Sequence, residues 1–472
     1  MKLSLATYFL VNFFLTLKCP YTDASEIRTR RPKKIRDAKP LPITEILQKC
    51  KKLNQVCNTK RKCCDGLTCK KEEGKPRAKC AEEPKYFKLQ QEMLLQYSDG
   101  DIVAASMSHD GNTVLVQGKD VSQTHILSGL FQSPVLVPGF SDMIIHQGFS
   151  PLWTNCVSGD GNVIAISNYF ARIVRVYKLT TDSDINENGW NLLGEEINGN
   201  DLGGSLDWWD NFGSSLALSF NGDILIVGAD YADKLYEGAL QRFEFIEDAW
   251  VSVGKMIDGQ YINDQIGRFP LQMSKDTSRI LVGGGRNGFA SVYDWNEKKK
   301  DWSLVERFEF GCEGWSDCVC DRSCFEEDSS DQYPYFGMEE NFLSSDGNIV
   351  AIGDYNYDPM RKEGVESKAL RGAIHFFQWK DNEFVEFAEK LVGPRKAELG
   401  WTFGMSDNGQ TLVNGNYDKG EVYHYKKVGK KYKKYATIAT GGFNRIFLSG
   451  DGTKLTVTST KSDDQVDTYT LE

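Results

Sequence analysis

Seven times between residues 107 and 457 the chain repeats one short phrase. It reads MSHDGNTVLV from 107, VSGDGNVIAI from 157, LSFNGDILIV from 218, MSKDTSRILV from 273, LSSDGNIVAI from 343, MSDNGQTLV from 405 and LSGDGTKLTV from 448. In the copy within residues 212–229, Leu216, Leu218, Ile224 and Ile226 alternate with other residues, the period of a strand with one buried face. Asn221-Gly222 lies between the two runs and suits a two-residue hairpin turn, which needs positive φ. The fourth copy carries Asp276-Thr277 there, which predicts an altered turn. One hairpin is marginal in water by itself. The shared serines at 108, 158, 219, 274, 344, 406 and 449 recur every 43 to 70 residues, the period of four-stranded propeller blades.

The remainder of each repeat supplies two further strands. Aromatic-ended runs follow the hairpins at 173, 239, 289, 373 and 421, and fourth strands are expected from 190, 250, 302, 384 and 434. The last repeat ends one strand short, at Glu472. The segment KYFKLQQEMLL at 85–95 reads as an orphan fourth strand, so residues 86–95 are expected to pair with 464–471 and close the ring. Closure removes the open sheet edges that invite aggregation. The fold class is therefore all-β, a seven-bladed β-propeller over 84–472 with an N-terminal strand closing the last blade.

Upstream of the ring the composition changes. Residues 26–49 carry a net +5 and residues 50–80 a net +7, whereas the chain as a whole is −10, so everything from 81 onward sums to −23. An acidic body argues against a nucleic-acid partner. Residues 1–24 have the form of a secretory signal peptide, with Lys2 before a mostly apolar run and small residues before Ser25. Residues 25–46 form a basic linker whose charge and prolines oppose a packed core, so it is expected to be disordered. Its Arg28-Thr29-Arg30-Arg31 resembles a furin-type processing site, with Pro32 opposing cleavage. The expected location is extracellular, and the expected state is a monomer.

Residues 47–83 hold Cys50, Cys57, Cys63, Cys64, Cys69 and Cys80. So dense a set in a secreted segment too short to bury a core implies disulfides, with fifteen possible connectivities. The spacing and the segment CCDGLTC resemble an inhibitor cystine knot (knottin) of the spider-toxin type. That resemblance implies Cys50–Cys64, Cys57–Cys69 and Cys63–Cys80. It also implies, for a module this basic, an ion channel, a protease or an anionic membrane as target. Much of the body resembles integrin-alpha-like FG-GAP repeats and, more loosely, WD40 repeats. The nearest segments are DNFGSSLALSFNGDILIVGA from 210 and YFGMEENFLSSDGNIVAIGD from 335. Some such repeats bind calcium, but Ser-x-Asp-Gly offers too few oxygen ligands, so no metal is expected.

In a propeller the seven turns share one face, and the ends of the second strands share the other. On the latter fall Asn168-Tyr169, Asp230-Tyr231, Asp354-Tyr355 and Asn416-Tyr417, together with Asp207, Trp208, Trp209, Asp210 and Trp401. Aromatic rings among carboxylates suit a glycan, a cation or a basic protein segment. Cys312, Cys318, Cys320 and Cys324 sit in the longest inter-repeat interval. They are expected to pair either 312–318 with 320–324 or 312–320 with 318–324, and Cys156 is left as a small buried hydrophobe. Five histidines without metal-ligand spacing, and no nucleophile elbow or phosphate loop, point away from an enzyme and a cofactor. The expected function is that of a secreted binding protein. The alternative is a toxin-like or inhibitory protein acting through the basic head, and the third reading is a glycan-processing enzyme using carboxylates of the propeller face.

Overall fold

The repeated phrase folds by one hydrogen-bond scheme. The computed structural model describes residues 67–70, 79–82, 87–95, 102–118, 124–128, 135–136, 153–180, 189–202, 210–233, 235–268, 271–285, 288–309, 336–358, 370–416, 419–440, 442, 445–459 and 465–472. In all seven turns the shared serine is at most 1% exposed. Its Oγ donates to the Asp or Asn side chain two residues on, at 2.5 to 3.0 Å. The same Oγ accepts the backbone N–H five residues on, at 2.8 to 3.0 Å. The serine carbonyl accepts from the residue three on, which is Gly in six turns and Thr277 in the fourth. Hence the repeat needs a short hydroxyl, then a short acceptor, then a residue that tolerates positive φ.

Two expectations are corrected here. The connection is built on an i→i+3 turn from Ser219 to Gly222, and only the fourth residue of that turn has positive φ, so Asn221 does not share the strain with Gly222. The fourth turn is not altered: Thr277 adopts φ 62° where the glycines have 64° to 77°.

The chain divides into two units, Met1–Pro84 and Lys85–Glu472. In the first, Leu67–Lys70 pairs antiparallel with Lys79–Glu82, and Cys69 stands opposite Cys80. Cys50, Cys57, Cys63 and Cys64 lie outside the described residues, as do the signal and linker segments and Cys312, Cys318, Cys320 and Cys324, so the expected pairings fall there too.

The second unit is a seven-bladed β-propeller. Among the described residues its seven sheets have four or five strands each, and in six of them the strands follow sequence order from the inner strand outward. The inner strands are Ile102–Met107, Trp153–Val157, Phe212–Leu218, Leu271–Met273, Phe336–Leu343, Phe403–Met405 and Arg445–Leu448. Each touches the next, and the seventh returns to the first. The outer strand of blades 2 and 5 is broken in two, Trp190–Leu192 with Ile197–Asn198 and Glu383–Glu386 with Leu391–Val392. Blade 7 takes its outermost strand from Phe87–Leu94, which runs antiparallel to Gln465–Leu471 with Phe87 opposite Leu471 and a shift between Leu89 and Gln91.

The core is divided among the seven junctions. One cluster joins Leu115 and Ile126 of blade 1 to Ile164, Ile166 and Trp190 of blade 2. Corresponding clusters follow around the ring, ending with Val466 of blade 7 against Ile102, Val114 and Val116 of blade 1. A second strand is therefore covered on both faces, which is why VIAISN at 163–168 is buried throughout rather than alternately. Cys156 lies in one of these clusters as a free, buried thiol, pushed up to about 12 by its burial.

Candidate functional site

The second strands begin at the turns and end at the opposite face of the ring. They place Asn168, Asp230, Asp354 and Asn416 at one end, as the repeat pattern requires. Their side chains do not behave alike. The Asn168 Oδ1 accepts from the Ala171 N–H at 3.0 Å and caps its own loop. Asn416, 2% exposed, donates to the Tyr423 hydroxyl at 2.6 Å, while its Oδ1 has no partner. Asp354 and Tyr355 are half-buried beside one another. Trp401 is packed against the core between blades 6 and 7 rather than presented as a flat open ring. Asp207, Trp208, Trp209 and Tyr417 lie outside the described residues.

Asp210 is a correction. It is fully buried, and Arg172 takes both carboxylate oxygens, Nε to Oδ1 at 3.0 Å and Nη2 to Oδ2 at 2.7 Å. Arg172 also donates to Asn200 Oδ1 and the Gly199 carbonyl. The pair ties the loop between blades 2 and 3, so this carboxylate has no capacity left for a ligand. Asp264 repeats the device with Arg307, at 2.9 and 3.0 Å, and Arg307 stacks 3.5 Å from the Phe289 ring centre. Neither arginine stood out in the sequence, because Arg172 sits in a turn before Ile173–Leu179 and Arg307 in the strand Asp301–Glu309, each far in sequence from its aspartate.

Asp230 is the carboxyl on this face with chemistry to spare. It is 7% exposed, and its side chain accepts from Asn211 Nδ2 at 3.0 Å, with the Ser214 hydroxyl also beside it. Burial pushes its pKa up to about 6, against the bond from Asn211 and the charge of Arg268. Tyr169 is close enough to be raised by burial and then by the Asp230 charge. Half-buried Tyr231 sets its ring edge-on to Tyr236 at 5.2 Å. A carboxyl that exchanges a proton near neutral pH, set between phenol rings, can accept from hydroxyls or ammonium groups and can also donate a proton.

The turn face carries an arrangement the sequence did not disclose. The residue after each shared serine is His109, Gly159, Phe220, Lys275, Ser345, Asp407 or Gly450. These seven converge on the axis. The Asp407 carboxylate accepts from Ser345, backbone N at 2.9 Å and Oγ at 2.7 Å, and meets His109 Nε2 at 2.7 Å. His109 lies edge-on to Phe220 at 5.8 Å, and Lys275 Nζ stands 3.9 Å over the Phe220 ring. A Cβ at Gly159 would lie 2.3 Å from the Phe220 ring, and one at Gly450 1.9 Å from His109 Nε2. The two glycines thus leave room for the two rings that fill this mouth. The hydrogen bond to Asp407 raises the His109 pKa above the ordinary histidine value, against the effect of burial. Ser345 and His109 address the same carboxylate oxygen, so the imidazole does not activate the hydroxyl and no nucleophilic triad exists here.

Between the two faces, Glu340 of blade 5 and Arg445 of blade 7 approach to 3.9 Å, past the inner strand of blade 6 and hence on the channel side. Glu340 is raised to about 8 by burial, with neighbouring Glu339 adding to the rise and Arg445 opposing it.

No family model and no curated protein matches the chain. Among solved structures it is similar to a chain of Kuenenia stuttgartiensis hydrazine synthase, at 13% identity and a TM-score of 0.48, over 78% of this chain and 94% of that one. The expectation that the protein is not an enzyme is corrected here. The similar chain is that of a synthase, and a likeness at a TM-score of 0.48 assigns this chain no role.

Proposed function

We propose that the propeller is a binding module that seats its ligand on the strand-end face at blades 2 and 3, over Asp230, Tyr169 and Tyr231. The observation that carries this reading is the Asp230 carboxyl, nearly enclosed, held by Asn211 and close enough to the Tyr169 phenol for its charge to act on it. Its partners are a glycan or a basic segment of an extracellular protein, since either brings donors for the carboxyl and a face to lie on the rings. Secretion and a cystine-knot head belong to the same reading, supported by the leader-like residues 1–24 and the six cysteines of 50–80. So does the use of Phe87–Leu94 as the clasp of the ring, supported by its ladder with Gln465–Leu471.

The test is binding of the full chain to a glycan array and to immobilised basic peptides, with Asp230→Asn and Tyr231→Ala beside the parent. Loss of the same ligand in both variants, with unchanged melting, is the expected result. Equal binding by both overturns the assignment. A carboxyl raised to about 6 also suits a general acid, so the array is read for cleaved glycan as well as for retention.

A further inference from the structure

The outer hairpin of blade 6 departs from the charge of everything around it. Six of the nine residues from 426 to 434 are lysines, at 426, 427, 430, 431, 433 and 434, in a body that is −23 from residue 81 onward. They lie on Glu421–Val428 and Lys431–Ala439, the latter being the outermost strand of the blade. The register sets Lys426 directly opposite Lys433 and Val428 opposite Lys431. Cross-strand partners share a face, and so do residues two apart, so Lys426, Lys431 and Lys433 form one basic surface with Lys430 at its turn. Lys430, Lys431, Lys433 and Lys434 are exposed. Lys431 has an exposed ion pair, with Glu389 at 3.0 Å. Like charges placed directly opposite destabilise a sheet. The hairpin therefore keeps, at some expense to its own fold, a concentrated positive stripe.

We propose that this stripe binds a linear anionic polysaccharide, one bearing sulfates or carboxylates along its length. The partner must be narrow. A flat anionic membrane or a nucleic-acid duplex would press its other charges against the acidic remainder of the ring, whereas a single extended chain touches the lysines alone. Single-stranded nucleic acid is gripped largely by stacking on open aromatic faces. Here those faces are taken: Lys434 Nζ stands 3.5 Å over Tyr423, Lys426 Nζ 4.3 Å over Tyr435, and Tyr425 and Tyr432 are buried. A polysaccharide needs only the ammonium groups and their spacing of roughly 7 Å along the strand. The site is separate from the strand-end ligand and stands without it.

The experiment uses the full chain with a heparin-derived oligosaccharide as probe and reads amide hydrogen exchange segment by segment. The basic residues of 26–80 would also attract a polyanion by their charge, so the footprint over 421–439 alone is read. Slowed exchange over 421–439 is expected. A variant with Lys430→Ser, Lys431→Ser and Lys433→Ser is expected to lose that footprint, while replacement of the same three by Arg keeps it. Its melting temperature should be equal to or above the parent's, because like charges have been removed. Unchanged exchange over 421–439 with saturating probe overturns the proposal. So does a parental footprint in the serine variant, or stronger protection by anionic vesicles or by single-stranded DNA than by the oligosaccharide.

Discussion

Thr277 offers a direct measurement of what the turns require. It occupies the fourth position of a loop that glycine fills in the other six blades, and its φ of 62° falls within a few degrees of theirs. A β-branched residue in the left-handed region costs about 1–2 kcal/mol relative to its preferred backbone. Replacing it by glycine releases that strain but adds chain freedom to the unfolded state, which gives back about 0.4–1 kcal/mol. Thr277→Gly should therefore stabilise the ring by about 0.5–1 kcal/mol. The hydrogen bonds of the turn are untouched, since Ser274 Oγ still meets Asp276 and the Arg279 N–H. The reverse change provides the control. Gly347 has φ 70°, and a Cβ there would stand 3.2 Å from an Arg279 side chain pinned by Asp294, so Gly347→Thr should cost at least about 1–2 kcal/mol, the backbone share alone. Gly222→Ala should cost more, because its Cβ would stand 2.4 Å from that of Val163 in the neighbouring blade. Urea midpoints of the three variants and the parent, at equal denaturant slope, give the comparison. A destabilised Thr277→Gly, with Gly347→Thr behaving as expected, would refute the claim that position four is selected for its backbone.

Three further outcomes follow from the same geometry. His424 is fully buried against Phe87 at 5.0 Å and Tyr435 at 5.4 Å, with both ring nitrogens lacking a hydrogen bond, and burial pushes it down to about 4. Its contribution is whole above the ordinary value near 6.5 and is lost as pH falls toward 4, roughly 3 kcal/mol in all, so His424→Phe should melt higher than the parent at pH 5 and similarly at pH 7.5. His109 has the opposite sign: its raised value means the Asp407 pair holds fully below the ordinary histidine range and weakens as pH rises, and His109→Gln should flatten that alkaline limb of the melting profile. Deleting residues 86–95 removes Phe87 from the core shared with Val422, Ile446 and Leu455 and exposes the edge of Gln465–Leu471; a sharp fall in melting temperature is expected, and an unchanged melt would show that the strand is not a clasp.

The blades were legible because their information is local. A buried serine, a short acceptor two residues on and a glycine after it are adjacent in sequence, and alternating apolar residues report a strand wherever it sits. The strand-end face was legible for the same reason, since every second strand starts at a marked turn and runs one way. What was not legible is how far each side chain had already been claimed. Asp210 and Asp230 look equivalent in sequence, yet Arg172, 38 residues before Asp210, neutralises one while the other keeps its proton to about pH 6. The basic hairpin was missed for a different reason: summed over the whole body its lysines vanish into a net −23, and only strand register shows them opposing one another.

The turn face carries the sharper lesson about repeats. Ser is constant across the seven copies, followed by Asp or Asn two residues on and then by Gly in six copies and Thr277 in one, because each blade needs the same turn. The residue between Ser and Asp runs through His, Gly, Phe, Lys, Ser, Asp and Gly, and read blade by blade it looks unconstrained. On the axis the seven positions share one small space, so identity is forbidden rather than free. Seven large residues would collide, and seven small ones would leave the mouth unfilled. The solution is mixed sizes and paired charges: two glycines beside two rings, Lys275 over Phe220, and Asp407 between His109 and Ser345. In a closed ring the variable position of a repeat can thus be as tightly determined as the constant ones, by its symmetry mates instead of by its own turn.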